Sequence, residues 1–563
     1  MDQEHMSGPA AAVEGTGAGG GDGAVDGGDG TVDGTARRRF LAIATGAATA
    51  AGLGAAAGCA GGDGGGNLRA GAGEKGAAPA PDGKPPAGGS QGFDVKAENA
   101  RPGNADWAVT KAGPARAVEG FADKVSVLPG ESFGLYVSTT APRFTVSAYR
   151  MGWYAGARAR LVWRSQALTG VRQPEHTVDP GTRMVRTRWA RTTTVETKDW
   201  PEGSYLLRLD AQGGEGGQRF VPVTVRSAAT AGRTVVVNAV ATWQAYNRWG
   251  GYGSYDGPSG GYASRSLAVS FDRPYEYDDG AGLFLVYEAP LIALAERLGI
   301  PLAYATTTDV AREKRLLEGA AAVLSLGHDE YWSPEQRAHF TAARDSGTNI
   351  AVLGANCCFR RIRLEASELG PDRTLVCYKS SYAQDPGFKR GHPATVDFRS
   401  APGADPESSL LGVIYDGYPV DAPYVVTHPG HWLFEGTGVK AGDRFEHLVG
   451  VEYDKVDTGF TTPRPIEILA HSPVVCEGRP SHQDTAYYTV PSGAGVFATG
   501  TMRWVEALDA TGDGRSGRNH GLDARSGALT TRVTENLLRA FAAGPAGRSH
   551  PAQDNVRAVY GGS

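Results

Sequence analysis

The segment AAVLSLGHDEYWSPEQRAHFTAARDSGTNIAVLG, residues 321–354, decides the fold class of this chain. It begins and ends with continuous apolar runs, which are typical of strands that are buried on both faces of a sheet. Between the runs lies an amphipathic stretch that opens with Ser333 and Pro334, and both residue types favour the start of a helix. A third apolar run, RTVVVNAV at 233–240, has the same character. We therefore predict an α/β domain whose parallel-rich sheet is covered by helices on both faces.

Ionisable residues follow the first apolar run of this segment directly, as His328, Asp329 and Glu330. Open α/β sheets bind ligands in the crevice outside the carboxyl ends of their strands. Two other predicted strand ends also lead into polar or aromatic residues, within 237–257 and 353–363. We expect these three junctions to converge on one site.

His328 and Glu330 are two residues apart, so on an extended backbone their side chains point the same way. One could hold a metal ion or a water molecule while the other moves a proton. Asp329 would point the opposite way, toward a helix cap or an arginine such as Arg360 or Arg361. The structural alternative makes His328 a satisfied buried histidine and pairs Glu330 with the amino end of the next helix.

Tyrosines concentrate in AYNRWGGYGSYDG at 245–257 and in RPYEYDD at 273–279. A phenolate is a hard oxygen donor, and two of them beside a carboxylate would suit a Lewis-acidic metal such as iron. The spacing also allows a structural reading, in which these rings pack on the edge of the sheet.

Patterns of apolar and polar residues in the rest of the chain predict how it is divided into domains. Residues 93–228 alternate apolar and polar residues between turns, which predicts a β-sandwich of immunoglobulin-like size. The α/β domain spans 232–543; its short strands after about residue 390 extend the sheet or add an antiparallel layer, and an amphipathic helix ends it. We expect the tail at 544–563 to be disordered.

The first 92 residues are rich in Gly and Ala and hold too few apolar side chains to form a core. Arg37 and Arg38 before a modestly apolar stretch resemble a twin-arginine export signal. The signal spans residues 1–59, and Gly58 and Cys59 at its end could form a lipobox that makes Cys59 a lipidation site. We expect residues 60–92 to form a disordered linker. Small residues at 55–57 also allow plain cleavage and free secretion. We predict an exported protein that meets the membrane only through such a lipid anchor.

Charge and cysteine usage exclude some functions. A net charge of -5 without a long basic run argues against a nucleic-acid partner. No CxxC pair occurs, so the sequence holds no cysteine-type zinc site. Export permits disulfides, but the sequence does not define a pairing among Cys357, Cys358, Cys377 and Cys476.

Five motifs in order carry a family resemblance: AYNRWGG, SFDRPY, GHDEYWS, GVEYD and GVFATGTMRW. The chain resembles the carboxyl-terminal domain of the large (beta) subunit of N,N-dimethylformamidase. RMGWYAG and WPEGSYLLRL resemble the sandwich that precedes this domain in exported relatives, so the resemblance covers roughly residues 95–543. It implies that the α/β domain is similar to class I glutamine amidotransferases.

The resemblance also implies a mononuclear iron that two tyrosines and a glutamate hold. Tyr246, Tyr255 and Glu330 match these ligands, and Tyr277 and Tyr287 are the other choices for the second tyrosine. His328 and Asn356 match polar residues beside the metal, and Glu452 matches a catalytic carboxylate.

We therefore predict an exported metal-dependent amide hydrolase that acts on a small-molecule or cell-envelope substrate. The metal would polarise the amide carbonyl, Glu452 or His328 would move protons, and Asn356 would hold the developing oxyanion. The alternative is a non-catalytic envelope protein that keeps only the fold and binds a ligand such as a glycan. The resemblance also makes an oligomer possible.

Overall fold

The computed structural model describes residues 93–510 and 520–561 of the chain. These residues form a mixed α/β structure with many strands in several sheets and few helices. The predicted export signal with Arg37, Arg38 and Cys59, and the linker that follows it, lie outside the described residues. In the part that is described, no helix is both long and apolar enough to cross a membrane.

The strands fall into an earlier and a later group. The earlier strands are β1 (Val118–Ala122), β2 (Ser126–Val127), β3 (Ser132–Thr139), β4 (Arg143–Met151), β5 (Ala159–Arg164), β6 (Leu168–Thr169), β7 (Thr177–Val178), β8 (Val185–Arg186), β9 (Thr193–Glu196), β10 (Gly203–Gln212) and β11 (Gly217–Val225). The later strands are β12 (Thr234–Asn238), β13 (Ala268–Ser270), β14 (Leu302–Thr306), β15 (Ala322–Gly327), β16 (Tyr331–Trp332), β17 (Asn349–Gly354), β18 (Arg360–Arg361), β19 (Arg363–Ser367), β20 (Gly370–Val376), β21 (Ile414–Val425), β22 (Arg444–Lys455), β23 (Ile466–Cys476), β24 (Arg479–Thr489) and β25 (Gly495–Ala498).

Most helices are short. The α-helices are α1 (Val95–Asn99), α2 (Val240–Tyr246), α3 (Phe284–Tyr287), α4 (Ala289–Arg297), α5 (Thr307–Arg312), α6 (Pro334–Asp345), α7 (Pro386–Lys389), α8 (Ser408–Leu411), α9 (Arg503–Ala507), α10 (Ala524–Ala542) and α11 (Val556–Tyr560). Short 3-10 helices lie at Ala105–Trp107, Tyr154–Gly156, Tyr262–Ser264, Asp278–Gly280, Lys379–Gln384, Trp432–Phe434 and Ala546–Arg548.

The largest sheet has the strand order β14-β12-β15-β17-β25-β24-β23. The first five strands are parallel, and β24 and β23 continue the sheet as an antiparallel pair. The three apolar runs of the sequence are β12, β15 and β17, and every residue in them is buried. Val236 packs in one core cluster while Val235 and Val237 pack in another. The parallel sheet with two covered faces is thus confirmed.

The amino-terminal part contains two larger, mainly antiparallel sheets and the short antiparallel pair β7-β8. One has the order β1-β3-β9, and the other has the order β2-β11-β10-β4-β5, with β6 paired to β4. Alternate side chains of both sheets, such as Leu135, Val146 and Leu207, share one apolar core cluster. The period-two pattern of the sequence produces this arrangement because only every second residue faces the shared core.

Helix α6 begins as the sequence predicts. The Ser333 side chain accepts a hydrogen bond from the Gln336 backbone N–H at 3.1 Å, and Pro334 occupies the first turn. The segment 328–333 therefore lies between the carboxyl end of β15 and the amino end of α6.

The prediction of a disordered tail is wrong for the described part, residues 544–561. Helix α11 lies here and buries Val556. The Asn555 side chain accepts from the Ile468 backbone N–H at 2.7 Å and donates to the Ile468 carbonyl at 2.9 Å, so it pairs with the outer edge of β23. These contacts join residues far apart in the chain, and no local pattern reveals them.

Candidate active site

The hydroxyls of Tyr246 and Tyr255 meet on one carboxylate, that of Glu330. Tyr246 is the last residue of α2 and donates to Glu330 Oε2 at 2.7 Å, while Tyr255, in the following loop, donates to Oε1. Glu330 is fully buried, and the two rings lie 5.1 Å apart. The structure therefore brings together the three residues that the sequence predicts as metal ligands.

His328 lies on the same side as Glu330. Its Nε2 is 3.5 Å from Glu330 Oε2, and its Nδ1 is 3.6 Å from Glu452 Oε2. Glu452 lies on β22, a strand far from His328 in the sequence that packs beside it in the fold. The His328 ring also packs against the Tyr246 ring, with 4.9 Å between their centres.

Asp329 does not meet an arginine, contrary to our expectation. Its Oδ2 accepts from Ser325 Oγ at 3.0 Å within the strand end, and burial raises the pKa of Asp329 to about 7. Arg360 instead contacts Glu330, with 3.2 Å from Nε to Oε1, because β16 and β18 pair in parallel with Tyr331 opposite Arg360. The register of β16 against β18 therefore places Arg360 beside Glu330 and not beside Asp329.

Arg361, the other arginine considered for Asp329, also lies elsewhere. Its guanidinium donates to the carbonyl oxygens of Pro402 and Gly403, at 3.1 and 2.5 Å.

Asn356 occupies a left-handed backbone position with φ 55° at the end of β17. Its backbone N–H donates to Asp454 Oδ1 at 2.8 Å, which fixes the loop beside Glu452. Asn356 Oδ1, Glu452 Oε2 and both ring nitrogens of His328 are buried without a hydrogen-bond partner among the described residues. Buried polar atoms are normally paired, so a cluster of unpaired ones indicates a site built for a ligand.

The charges of the site are unevenly distributed. Burial opposes ionisation of Glu330, but the neighbouring His328 imidazole, 3.5 Å away, and the charge of Arg360 outweigh it and lower the pKa of Glu330. Burial raises the pKa of Glu452 above its ordinary value, and the neighbouring His328 opposes that shift only in part. Burial lowers the pKa of His328, yet the carboxylates of Glu452 and Glu330 raise it more. Glu330 is thus the ionised carboxylate of the site, whereas Glu452 is the carboxyl that burial makes easier to protonate.

Burial and the charge of Glu330 raise the pKa of both tyrosine hydroxyls well above the usual range. Without a cation both phenols are therefore protonated and donate to Glu330. A bound cation would have to displace those protons.

Lys379 is a site residue that the sequence analysis missed. Its Nζ lies 3.3 Å from the centre of the Tyr255 ring and donates to the Ser254 carbonyl at 2.8 Å. Burial and the charge of Arg360 lower the pKa of Lys379 to about 7. The only sequence signal is that Lys379 follows the end of β20, since it belongs to none of the family motifs.

Tyr277 and Tyr287, the other choices for the second tyrosine ligand, lie in different places. The Tyr287 ring is close to the site: its centre is 6.3 Å from that of the His328 ring, and it packs against Gly327. Tyr277 lies elsewhere, just before the 3-10 helix Asp278–Gly280. Gly280 of that helix lies against Phe220 of β11.

Each of the four described cysteines is a buried free thiol: Cys357, Cys358, Cys377 and Cys476.

The model of one protein family matches residues 145–519, about two thirds of the chain. This family is described as N,N-dimethylformamidase beta subunit-like, C-terminal. The chain belongs to this family. The dimethylformamidase-like match contains all of the predicted site residues from Tyr246 to Glu452, whereas α10 and α11 lie after it.

Other comparisons add little. Comparison with curated proteins gives no match. A cycloisomaltooligosaccharide glucanotransferase from Paenibacillus sp. is 13% identical over 24% of this chain and 19% of its own, with a TM-score of 0.13. Cwp6 from Clostridium difficile is 11% identical over 42% of this chain and 37% of its own, with a TM-score of 0.12. In each of these two structures, less than two fifths of the length is matched by this chain.

Proposed function

We propose that this protein is a metal-dependent hydrolase that cleaves an amide C–N bond in a small-molecule or cell-envelope substrate. The observation that carries the proposal is the Glu330 carboxylate bonded by two tyrosine hydroxyls, beside buried groups of His328, Glu452 and Asn356 that have no described hydrogen-bond partner. Membership of the dimethylformamidase-like family supports the same chemistry.

The chemistry of the donor set fits a metal ion. Two phenols and one carboxylate offer hard oxygen donors, which suit a Lewis-acidic ion such as iron. Their oxygens already converge, because both hydroxyls lie within hydrogen-bond distance of the same carboxylate. Tyr246, Tyr255 and Glu330 would hold the ion. When bound, it would polarise the amide carbonyl and make a water molecule more acidic.

The neighbouring side chains would manage protons and orientation. Glu452, whose pKa is raised by burial, would take a proton from the attacking water and pass it to the leaving nitrogen, assisted by His328. The Asn356 side chain, held beside Glu452 by the backbone bond to Asp454, would hydrogen-bond the substrate oxygen. Since Glu330 and His328 are buried, bulk water would be largely excluded.

The first test measures bound metal and amide hydrolysis by the full chain, purified without a chelator. We expect about one metal ion per chain at this site, and its loss in Tyr246→Phe and Glu330→Gln. Glu452→Gln should keep the metal and lower kcat by about 10²-fold or more, as for loss of a general base. Tyr149→Phe is the matched control, because it removes a buried hydroxyl in the amino-terminal sheets.

A folded parent that takes up no metal when iron is offered would contradict the proposal. It would favour the non-catalytic ligand-binding alternative. Circular dichroism of every variant separates loss of the site from loss of the fold.

We also infer that the parallel sheet is of the class I glutamine amidotransferase type and that the two amino-terminal sheets form an immunoglobulin-like sandwich. The parallel strands with two covered faces and the shared core of the earlier sheets support these inferences. Superposition of an experimental structure on members of both classes tests them, and a different strand order would contradict them.

A further inference from the structure

Two histidines and an aspartate converge on the edge of the large sheet that is formed by β23 and β24. His471 of β23 pairs across the ladder with Asp484 of β24, and its Nδ1 is 2.7 Å from Asp484 Oδ1. His482 lies two residues before Asp484, on the same face, with its Nε2 3.7 Å from Asp484 Oδ2. The two imidazole rings are 4.5 Å apart.

Tyr560 from the carboxyl-terminal helix α11 covers this cluster. Its hydroxyl is 2.7 Å from His482 Nε2, 2.7 Å from the Val456 carbonyl oxygen, and hydrogen-bonded to Asp484 Oδ2. A phenol has one proton, so it cannot donate to Val456 and Asp484 at the same time. The arrangement therefore holds more acceptor atoms than the phenol can satisfy.

The surroundings of the cluster are acidic. Asp416 and Asp457 face Lys455, with oxygens 3.0 and 3.7 Å from its Nζ. Together with Asp484, they place three carboxylates around the cluster, so the local field favours a cation.

We propose that His471, His482 and Asp484 form a second cation site, for a divalent transition metal of the zinc class, with Tyr560 or a water molecule as fourth ligand. Among the described His, Cys, Asp and Glu side chains, these three bring their ligand atoms within 4.8 Å of one another. In a tetrahedral zinc site with bonds near 2.0–2.1 Å, ligand atoms are about 3.3 Å apart. The separations of 2.7 and 3.7 Å found here lie on either side of that value.

With Tyr560 as the fourth ligand, the ligands come from three elements, and the ion then has a structural role. The ion would join β23, β24 and α11, and so hold the end of the chain against the outer edge of the sheet. The His471 and His482 side chains are 26% and 24% exposed, so the ion can enter from solvent. The site shares no ligand with the Glu330 cluster and does not depend on the proposed hydrolase function.

The test titrates Co²⁺ and then Zn²⁺ into the full chain after treatment with a chelator. We expect the visible absorption of four-coordinate cobalt, its loss on addition of Zn²⁺, and a higher Tm with Zn²⁺. His471→Ala and His482→Ala should weaken binding at this site by at least about 10-fold. Glu330→Gln should leave it unchanged, which separates this site from the proposed active site.

His447→Ala is the matched control. His447 also pairs with a carboxylate, Asp421, at 2.9 Å from Nδ1, but it has no second histidine there among the described contacts. A parent chain without four-coordinate cobalt absorption, or a folded His482→Ala chain that binds as tightly as the parent, would overturn the proposal. The parent spectrum alone decides the matter if a histidine variant does not fold.

Discussion

At the scale of single residues, Glu288 is a buried acid whose protonation depends on folding. Its Oε1 accepts from the Ala239 backbone N–H at 3.0 Å and from Trp243 Nε1 at 2.9 Å. Burial raises the pKa of Glu288 from 4.5 to about 8. Between these values the folded chain keeps a proton that the unfolded chain has released.

The stability contribution of Glu288 is therefore complete below pH 4.5 and is lost as the pH rises toward 8. The slope reaches at most about 1.4 kcal/mol of unfolding free energy per pH unit. We predict that Glu288→Gln, which cannot titrate, flattens the dependence of unfolding free energy on pH in this window. Urea unfolding from pH 5 to pH 8.5 checks this, and parallel profiles for parent and variant would show that Glu288 does not titrate as described.

Single residues also show what the sequence could predict of the site. The spacing of His328 and Glu330 was enough to place both side chains on one side, because it depends only on the two-residue period of an extended backbone. The contact between Arg360 and Glu330 depends on the register of β16 against β18, and Lys379 arrives from a separate strand end. Such pairings between distant segments leave no local pattern.

At the scale of elements, Gly327 forms the turn from β15 into the site. Its φ is +56°, and an added Cβ would lie 2.3 Å from the Tyr287 Cβ. We predict that Gly327→Ala destabilises the protein through both backbone strain and steric overlap. Gly232→Ala is the matched control, because Gly232 has a φ of +71° but open space around it.

The difference between these two variants isolates the overlap with Tyr287. We expect Gly327→Ala to lose at least about 2 kcal/mol more unfolding free energy than Gly232→Ala, as is usual for overpacking plus a local backbone shift. Denaturant unfolding of both variants measures this. Equal losses would mean that Tyr287 moves aside freely.

Elements also differ in how far the sequence predicts them. Strands β12, β15 and β17 are apolar on both faces, and α6 carries its own cap, so local residues specify them. Helix α11 has five residues and owes its place to Asn555 and Tyr560, whose partners are on β23, on β24 and just after β22. An isolated helix of this length is not stable in water.

At the scale of the whole molecule, a buried ion pair joins the amino-terminal sheets to the α/β part. Arg150 of β4 contacts Glu296 of α4 with 2.6 Å from Nη2 to Oε1, and both side chains are fully buried. The Tyr304 hydroxyl, the Asn99 amide and the Trp153 backbone N–H also donate to Glu296, at 2.7, 3.0 and 3.1 Å. The sequence predicted both parts but not this link, because its two residues are 146 positions apart.

We predict that Glu296→Ala destabilises the whole protein by about 3–5 kcal/mol, because it leaves the Arg150 charge buried and unpaired. Glu175→Ala removes a partner at the same distance from Arg116, but there the side chains are 38% and 62% exposed, so little change is expected. Thermal and urea unfolding of both variants provide the comparison. Equal losses of unfolding free energy in the two variants would show that the buried pair of Arg150 and Glu296 matters no more for stability than the exposed pair.

The position of β25 has a consequence for the time course of folding. This strand lies between β17 and β24, and Thr499 just after it bonds to the Gly354 carbonyl, 145 residues earlier in the chain. One edge of β17 therefore has no strand partner until β25, far along the chain, has been synthesised. Long-range parallel pairing of this kind is slow, because a large loop must close before any contact is gained. The interior of the sheet is thus completed by β25 only after β23 and β24, the strands on its far side, have been synthesised.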